Sequence, residues 1–105
     1  MEVLQTFIDV VEKEAFVEAH EVLEEQWKAW KNDPMKRDES YILKGLINGA
    51  TALALIKLGR EESARRVWET YEKYRPLIHT VTSIYTPFYF QAQTLLETKH
   101  KEKLS

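Results

Sequence analysis

One segment constrains this chain more than any other. Residues 39–58 have a helical period and are apolar on most sides. A helix of that kind has no broad face to give to water, so other elements must surround it. Gly45 and Gly49 lie four apart on it, and Ala52 and Ile56 continue the same side. A glycine inside a helix costs about 0.8–1.0 kcal/mol relative to alanine. Two of them at this spacing imply that another helix approaches closely. The opposite side carries a narrow stripe of Lys44, Asn48, Thr51 and Leu55, three of them polar.

The rest of the chain has the same period. Among 105 residues there are three Gly and three Pro, and no alternating run of strand length interrupts the pattern. A short first helix is expected near 3–12, with Val3, Phe7, Val10 and Val11 as its apolar face. A second is expected near 15–31, with Phe16, Ala19, Leu23, Trp27 and Trp30 on one side. Asn32-Asp33-Pro34 ends it, since proline lacks an N–H and restricts its predecessor. Asp38 is the expected N-cap of the central helix, and Gly59 the residue just past its end. A fourth helix near 61–74, with Ala64, Val67, Trp68 and Tyr71 inward, should fold back on the central one. Residues 77–85 read as an irregular or short helical connection. Thr86-Pro87 reads as N-cap and first position of a last helix, and the charged tail from His100 is expected to fray. The expectation is an all-α fold: a compact bundle of about five helices around a central buried helix, with residues 1–105 as one domain.

Bulk properties narrow the function. Net charge is −2 and cysteine is absent. No global field draws in nucleic acid or an anionic membrane. Disulfide frameworks, thiolate nucleophiles and cysteine-ligated metals are excluded. The opening residues Met1-Glu2-Val3-Leu4-Gln5 lack the basic start and apolar run of a signal peptide. No stretch reaches the ~18 apolar residues of a membrane span. The expected location is the cytoplasm.

Chemistry concentrates in Ala19-His20-Glu21-Val22-Leu23-Glu24-Glu25-Gln26-Trp27. His20 falls within the apolar stripe of the second helix and Glu24 at its edge. Titratable groups facing a core are costly without partners. Residues at i and i+4 share a helix face, so His20 and Glu24 are candidate ligands for a divalent metal. Glu21 then stands where zinc-binding His-Glu-x-x-His helices keep their general base. A metal needs further ligands, and only His79, His100 and other acids remain to supply them. If Lys44, Asn48 and Thr51 face His20 and Glu24, the two stripes form one polar cluster between helices, where bundles commonly place sites. Trp27 would border it. The favoured reading of the cluster is a hydrogen-bond network that specifies helix pairing. A small-ligand pocket and a metal site remain open beside it.

The series Phe16-x-x-Ala19-His20-Glu21-Val22-Leu23-Glu24-x-x-Trp27, then Gly45-Leu46-Ile47 with Ala50, Ala52 and Leu53, then Gly59 and Ala64 resembles the small helical family called domain of unknown function 309. The resemblance covers roughly residues 7–75. It implies an all-helical fold and no established activity. It also implies amides at the positions of Lys44 and Asn48 and a histidine near Leu55. Here Asn48 keeps the amide, Lys44 is a cation and Leu55 is apolar. Function therefore reads as unknown: a small helical protein whose cluster of His20, Glu21, Glu24, Trp27, Lys44, Asn48 and Thr51 binds a small ligand or partner. The alternatives are a dimeric interaction module, with the cluster as scaffolding, and a metal-dependent hydrolase-like enzyme.

Overall fold

The helical period carries through into three dimensions. A computed structural model describes residues 2–104. Among them it contains seven helices and no strand: α1 (Glu2–Glu12), α2 (Phe16–Val22), α3 (Glu24–Lys31), α4 (Arg37–Lys57), α5 (Glu61–Tyr74), α6 (Leu77–Thr80) and α7 (Thr86–Leu104). α4 is the central helix, as its composition requires. Ile42, Leu43, Leu46, Ala50 and Leu53 are 0–1% exposed, and α2, α3, α5, α6 and α7 all pack on it.

Gly45 and Gly49 allow the closest of these approaches. A methyl group placed on Gly45 would lie 3.1 Å from Tyr74 Cβ, and one on Gly49 3.0 Å from Leu96 Cδ1 and 3.2 Å from Tyr71 Cδ1. Gly45 thus faces the last residue of α5 and Gly49 the turn before it, so α4 and α5 run antiparallel. The turn between them ends α4 in a Schellman motif. Gly59 adopts φ 79°, its N–H donates to Ile56 O at 2.9 Å, and the Arg60 N–H donates to Leu55 O at 2.9 Å. Both bonds satisfy carbonyls left over at the helix end.

Four features differ from the sequence expectation. The second helix is two helices, broken at Leu23 (φ −93°, ψ −7°). No glycine or proline stands there. The burial demand changes instead: α2 buries Phe16 and Ala19, whereas no residue of α3 is fully buried, and Leu23 at the break is completely enclosed. α4 begins at Arg37, so Asp38 lies inside its first turn, where a carboxylate meets the positive end of the helix dipole. The connection at 77–85 is in part the short helix α6, as expected.

α7 begins at Thr86, so Thr86 is its first residue rather than its N-cap, and Ser83 braces the turn before it. Ser83 Oγ accepts the Tyr85 N–H at 3.0 Å, and Thr86 Oγ1 accepts the Ser83 N–H at 3.1 Å. This is a reciprocal pair built like a capping box. α7 then stays helical to Leu104 because its lysines are anchored, as described below.

Two tyrosines bring polar groups into the core. Tyr89 is fully buried and donates its hydroxyl to Glu39 Oε2 at 2.8 Å, Glu39 itself being 7% exposed. Tyr71, also fully buried, donates to Glu97 Oε2 at 2.7 Å, and Arg75 Nη1 reaches the same oxygen at 3.2 Å. Burial, and next the hydrogen bond to a carboxylate, push both phenols far above their ordinary range. Both therefore stay neutral donors.

Candidate functional site

The motif on α2 and α3 resolves into a pair. His20 Nε2 lies 3.5 Å from Glu24 Oε1, with side chains 29% and 39% exposed. The break at Leu23 turns this face partly to water, so His20 is half-buried rather than part of the core stripe. The motif's larger share in stability comes from Ala19 and Leu23, both fully buried.

The other predicted members make their contacts elsewhere. Asn48 Nδ2 donates to Lys44 O at 2.7 Å, and Thr51 Oγ1 donates to Ile47 O at 3.0 Å. Both polar groups are thus satisfied by their own helix. The Lys44 ammonium stands 5.6 Å above the Tyr74 ring, on the α5 side of α4. Among the described residues no hydrogen bond or ion pair joins His20 or Glu24 to Lys44, Asn48 or Thr51. Trp27 packs against the edge of the core with Lys31 over its ring at 4.6 Å.

The candidate metal ligands also stand alone. His79 packs against Phe90 and His100 against Trp68. Among the described residues no group of three or more His, Cys, Asp or Glu is placed to hold a metal ion. His20 and Glu24 thus lack the third ligand that zinc chemistry needs.

Glu21 points to a different feature. It lines an apolar groove of about 470 Å³ formed by the start of α2 and the end of α4. Phe16, Val17, Ala54 and Leu58 form its apolar surface, with Glu18 and Glu21 beside them. Val17 is 57% and Leu58 68% exposed, unusual for large aliphatic residues.

The turn that sets one wall of this groove is unusual too. Glu14 adopts φ 64°, a left-handed conformation that non-glycine residues seldom take. Its N–H donates to Val11 O at 2.9 Å and the Ala15 N–H to Val10 O at 3.1 Å. This closure is the same as that at Gly59, with glutamate in the glycine position. Three lysines hold it there. Lys57 Nζ donates to Glu14 O at 3.3 Å, Lys99 to Oε2 at 3.1 Å and Lys103 to Oε1 at 2.5 Å. Lys99 and Lys103, in and beside the tail expected to fray, are thus part of the fold, and they fasten α7 across the α1–α2 turn.

Hydrogen bonds from Lys103 and then Lys99 hold the Glu14 carboxyl at about 2, below its ordinary 4.5. A depressed carboxyl stabilises the fold fully above its unfolded value, and that contribution is lost as pH falls through the folded one. Acid titration of denaturant stability should therefore show a loss between pH 4.5 and about 2 that is smaller in Glu14→Gln. Equal acid sensitivity in the two proteins would refute the clamp.

Other elements of this surface carry no motif in the sequence. Trp68 and His100 stack at 3.7 Å with planes 3° apart. Burial lowers the His100 pKa, and this outweighs the opposing influence of Glu72 and Glu97. The only cue to the groove is that Val17 and Leu58 fall outside the apolar stripes of their helices.

The architecture is that of a small all-helical bundle whose motif sets His20 and Glu24 side by side and places Glu21 on the rim of an apolar groove. Within that class the chain belongs to the family described as Domain of unknown function (DUF309), which it matches over residues 4–67. The match takes in α1 to α4 and the first half of α5. No curated protein and no solved structure matches the chain. Every residue lining the groove lies inside the matched segment, whereas the concavity beside Trp68 and His100 lies outside it.

Proposed function

We propose that this protein is an interaction module that takes the apolar edge of a partner's helix into the groove between α2 and α4. One observation carries the reading: Val17 and Leu58 flank a groove of about 470 Å³ while 57% and 68% exposed. Exposed apolar surface of this kind is costly in water and is characteristic of docking surfaces. Glu18 and Glu21 on the α2 wall favour a partner with Lys or Arg on that flank, and Lys57 on the α4 wall favours a carboxylate on the other. Glu14 adds nothing to that field, because Lys99 and Lys103 neutralise it. The reading extends to a cytoplasmic location, supported by a chain that builds its core without any cysteine.

Display selection of helical peptides on the full chain tests this. The enriched peptides should pair apolar residues at i and i+4 with adjacent Lys or Arg. Val17→Asp with Leu58→Asp should abolish their binding while the melting temperature holds. Peptides that bind this variant as well as the parent would overturn the reading. A dimer in sedimentation velocity that Leu58→Asp dissociates would make a second copy of the chain the occupant instead.

A further inference from the structure

Beyond the groove, one end of the bundle carries a second surface of a different kind. The end of α3, the start of α4 and the start of α7 meet there. Trp30 stacks on Tyr85 with ring centroids 6.1 Å apart, and Lys36 Nζ lies 5.2 Å from the Trp30 ring. Two aliphatic side chains project from the connectors that flank this stack. Met35 is 89% and Ile84 83% exposed, more than any other large apolar residue described.

Neither is a loose tip. The Met35 N–H donates to Asp33 Oδ1 at 2.9 Å, and Ile84 lies within the reciprocal Ser83–Thr86 turn. The fold therefore presents both apolar groups on hydrogen-bonded turns, each next in sequence to a residue of the aromatic stack or its lysine.

Charge is also unevenly distributed. Residues 28–44 and 73–90, which build this end, hold seven Lys or Arg and three Asp or Glu, in a chain of net charge −2. One of the three acids, Glu39, is buried on Tyr89, and one of the seven cations, Arg75, is paired with Glu97 beyond these ranges, which leaves six cations and two acids on this end. From Lys73 to Leu96 there is no acidic residue at all. The absence of a global positive field hides a local one.

We propose that this end of the bundle docks on an anionic lipid surface, with Met35 and Ile84 entering the headgroup layer. Tryptophan and tyrosine at the water–lipid boundary, apolar groups beyond them and lysines around them are the elements of interfacial binding. The apolar groups stand on projecting turns, which suits a deformable lipid layer better than the convex side of a partner helix. Their chemistry also disfavours a nucleic-acid backbone, which would meet Lys and Arg but gain nothing from methionine and isoleucine.

Co-sedimentation of the full chain with phosphatidylcholine vesicles, with and without phosphatidylserine, tests the proposal. Binding should require phosphatidylserine and weaken with salt, each Lys or Arg near the surface being worth about fivefold. Met35→Ser with Ile84→Ser should lower the partition by about tenfold or more, from apolar burial lost. Lys31→Glu with Arg37→Glu should lower it further. All four side chains are exposed, and circular dichroism should show the variants folded. Val17→Asp with Leu58→Asp should leave vesicle binding intact, which separates this surface from the groove. Equal pelleting with both vesicle types, or an unchanged partition for the serine variant, would overturn the proposal. So would single-stranded RNA that displaces the vesicles and binds the serine variant as well as the parent.

Discussion

Gly49→Val should destabilise the fold by roughly 3 kcal/mol, the upper part of the usual range for overpacking a filled core. The first added carbon already stands 3.0 Å from Leu96 Cδ1 and 3.2 Å from Tyr71 Cδ1, and valine adds two methyls beyond it. Neither neighbour has room to yield. Tyr71 is fully buried and its hydroxyl is bound to Glu97, and Leu96 is fully enclosed. For a chain of this size the loss corresponds to a fall in melting temperature on the order of 15 °C.

Gly49→Ala separates the two contributions. Alanine gains about 0.8–1.0 kcal/mol of helix propensity over glycine and brings only the first, tight contact, so its net change should be small. Thermal and urea melts of both variants read the difference. If valine at 49 melts with the parent, α4 and α7 are not held at the spacing described.

Tyr89→Phe should cost about 2–3 kcal/mol, because it strands a buried acceptor rather than merely removing a bond. Glu39 is 7% exposed and Tyr89 Oη is its hydrogen-bond donor at 2.8 Å. Phenylalanine keeps the ring in the core but leaves that carboxylate without its donor in a site water barely reaches. Glu39→Gln keeps an acceptor for the hydroxyl and should cost less. Combining Tyr89→Phe with Glu39→Leu, which removes the acceptor, gives the coupling energy. A double variant whose loss equals the sum of the single losses would show that the pair does not act as a unit.

The two effects rest on different levels of information. The first was visible in the residues: glycines four apart on a helix that is otherwise apolar lose propensity for no local gain, so a close neighbour had to exist. The second was not. Glu39 sits at the start of α4 and Tyr89 fifty positions later, and no spacing rule links them.

The candidate site divides in the same way. His20 and Glu24 were legible as a pair because one helical turn separates them, and they do lie 3.5 Å apart. Whether the stripe on α4 would join them depended on how α4 is rotated against α2 and α3. The structure turns Lys44 toward Tyr74 and lets Asn48 and Thr51 bond within their own helix.

Glu14 shows how far local reading can go astray. Its left-handed turn resembles a position for glycine, and its lysine partners are 85 and 89 residues away. Glu12, Lys13 and Glu14 before α2 and the lysines near the end of the chain each look like water-facing charge. Only docking of α7 across the α1–α2 turn makes them one clamp.

By itself, then, the sequence determined the class of elements, the central position of α4, its close partner and its end at Gly59. All of these follow from periodicity, propensity and backbone sterics, which act within a few residues. Tertiary structure alone decided the break at Leu23, the buried Tyr89–Glu39 bond, the Glu14 clamp, the groove between α2 and α4 and the basic, apolar-tipped end. Each of these depends on the rotation and register of helices packed from distant parts of the chain, and those are set by how side chains fill the whole core.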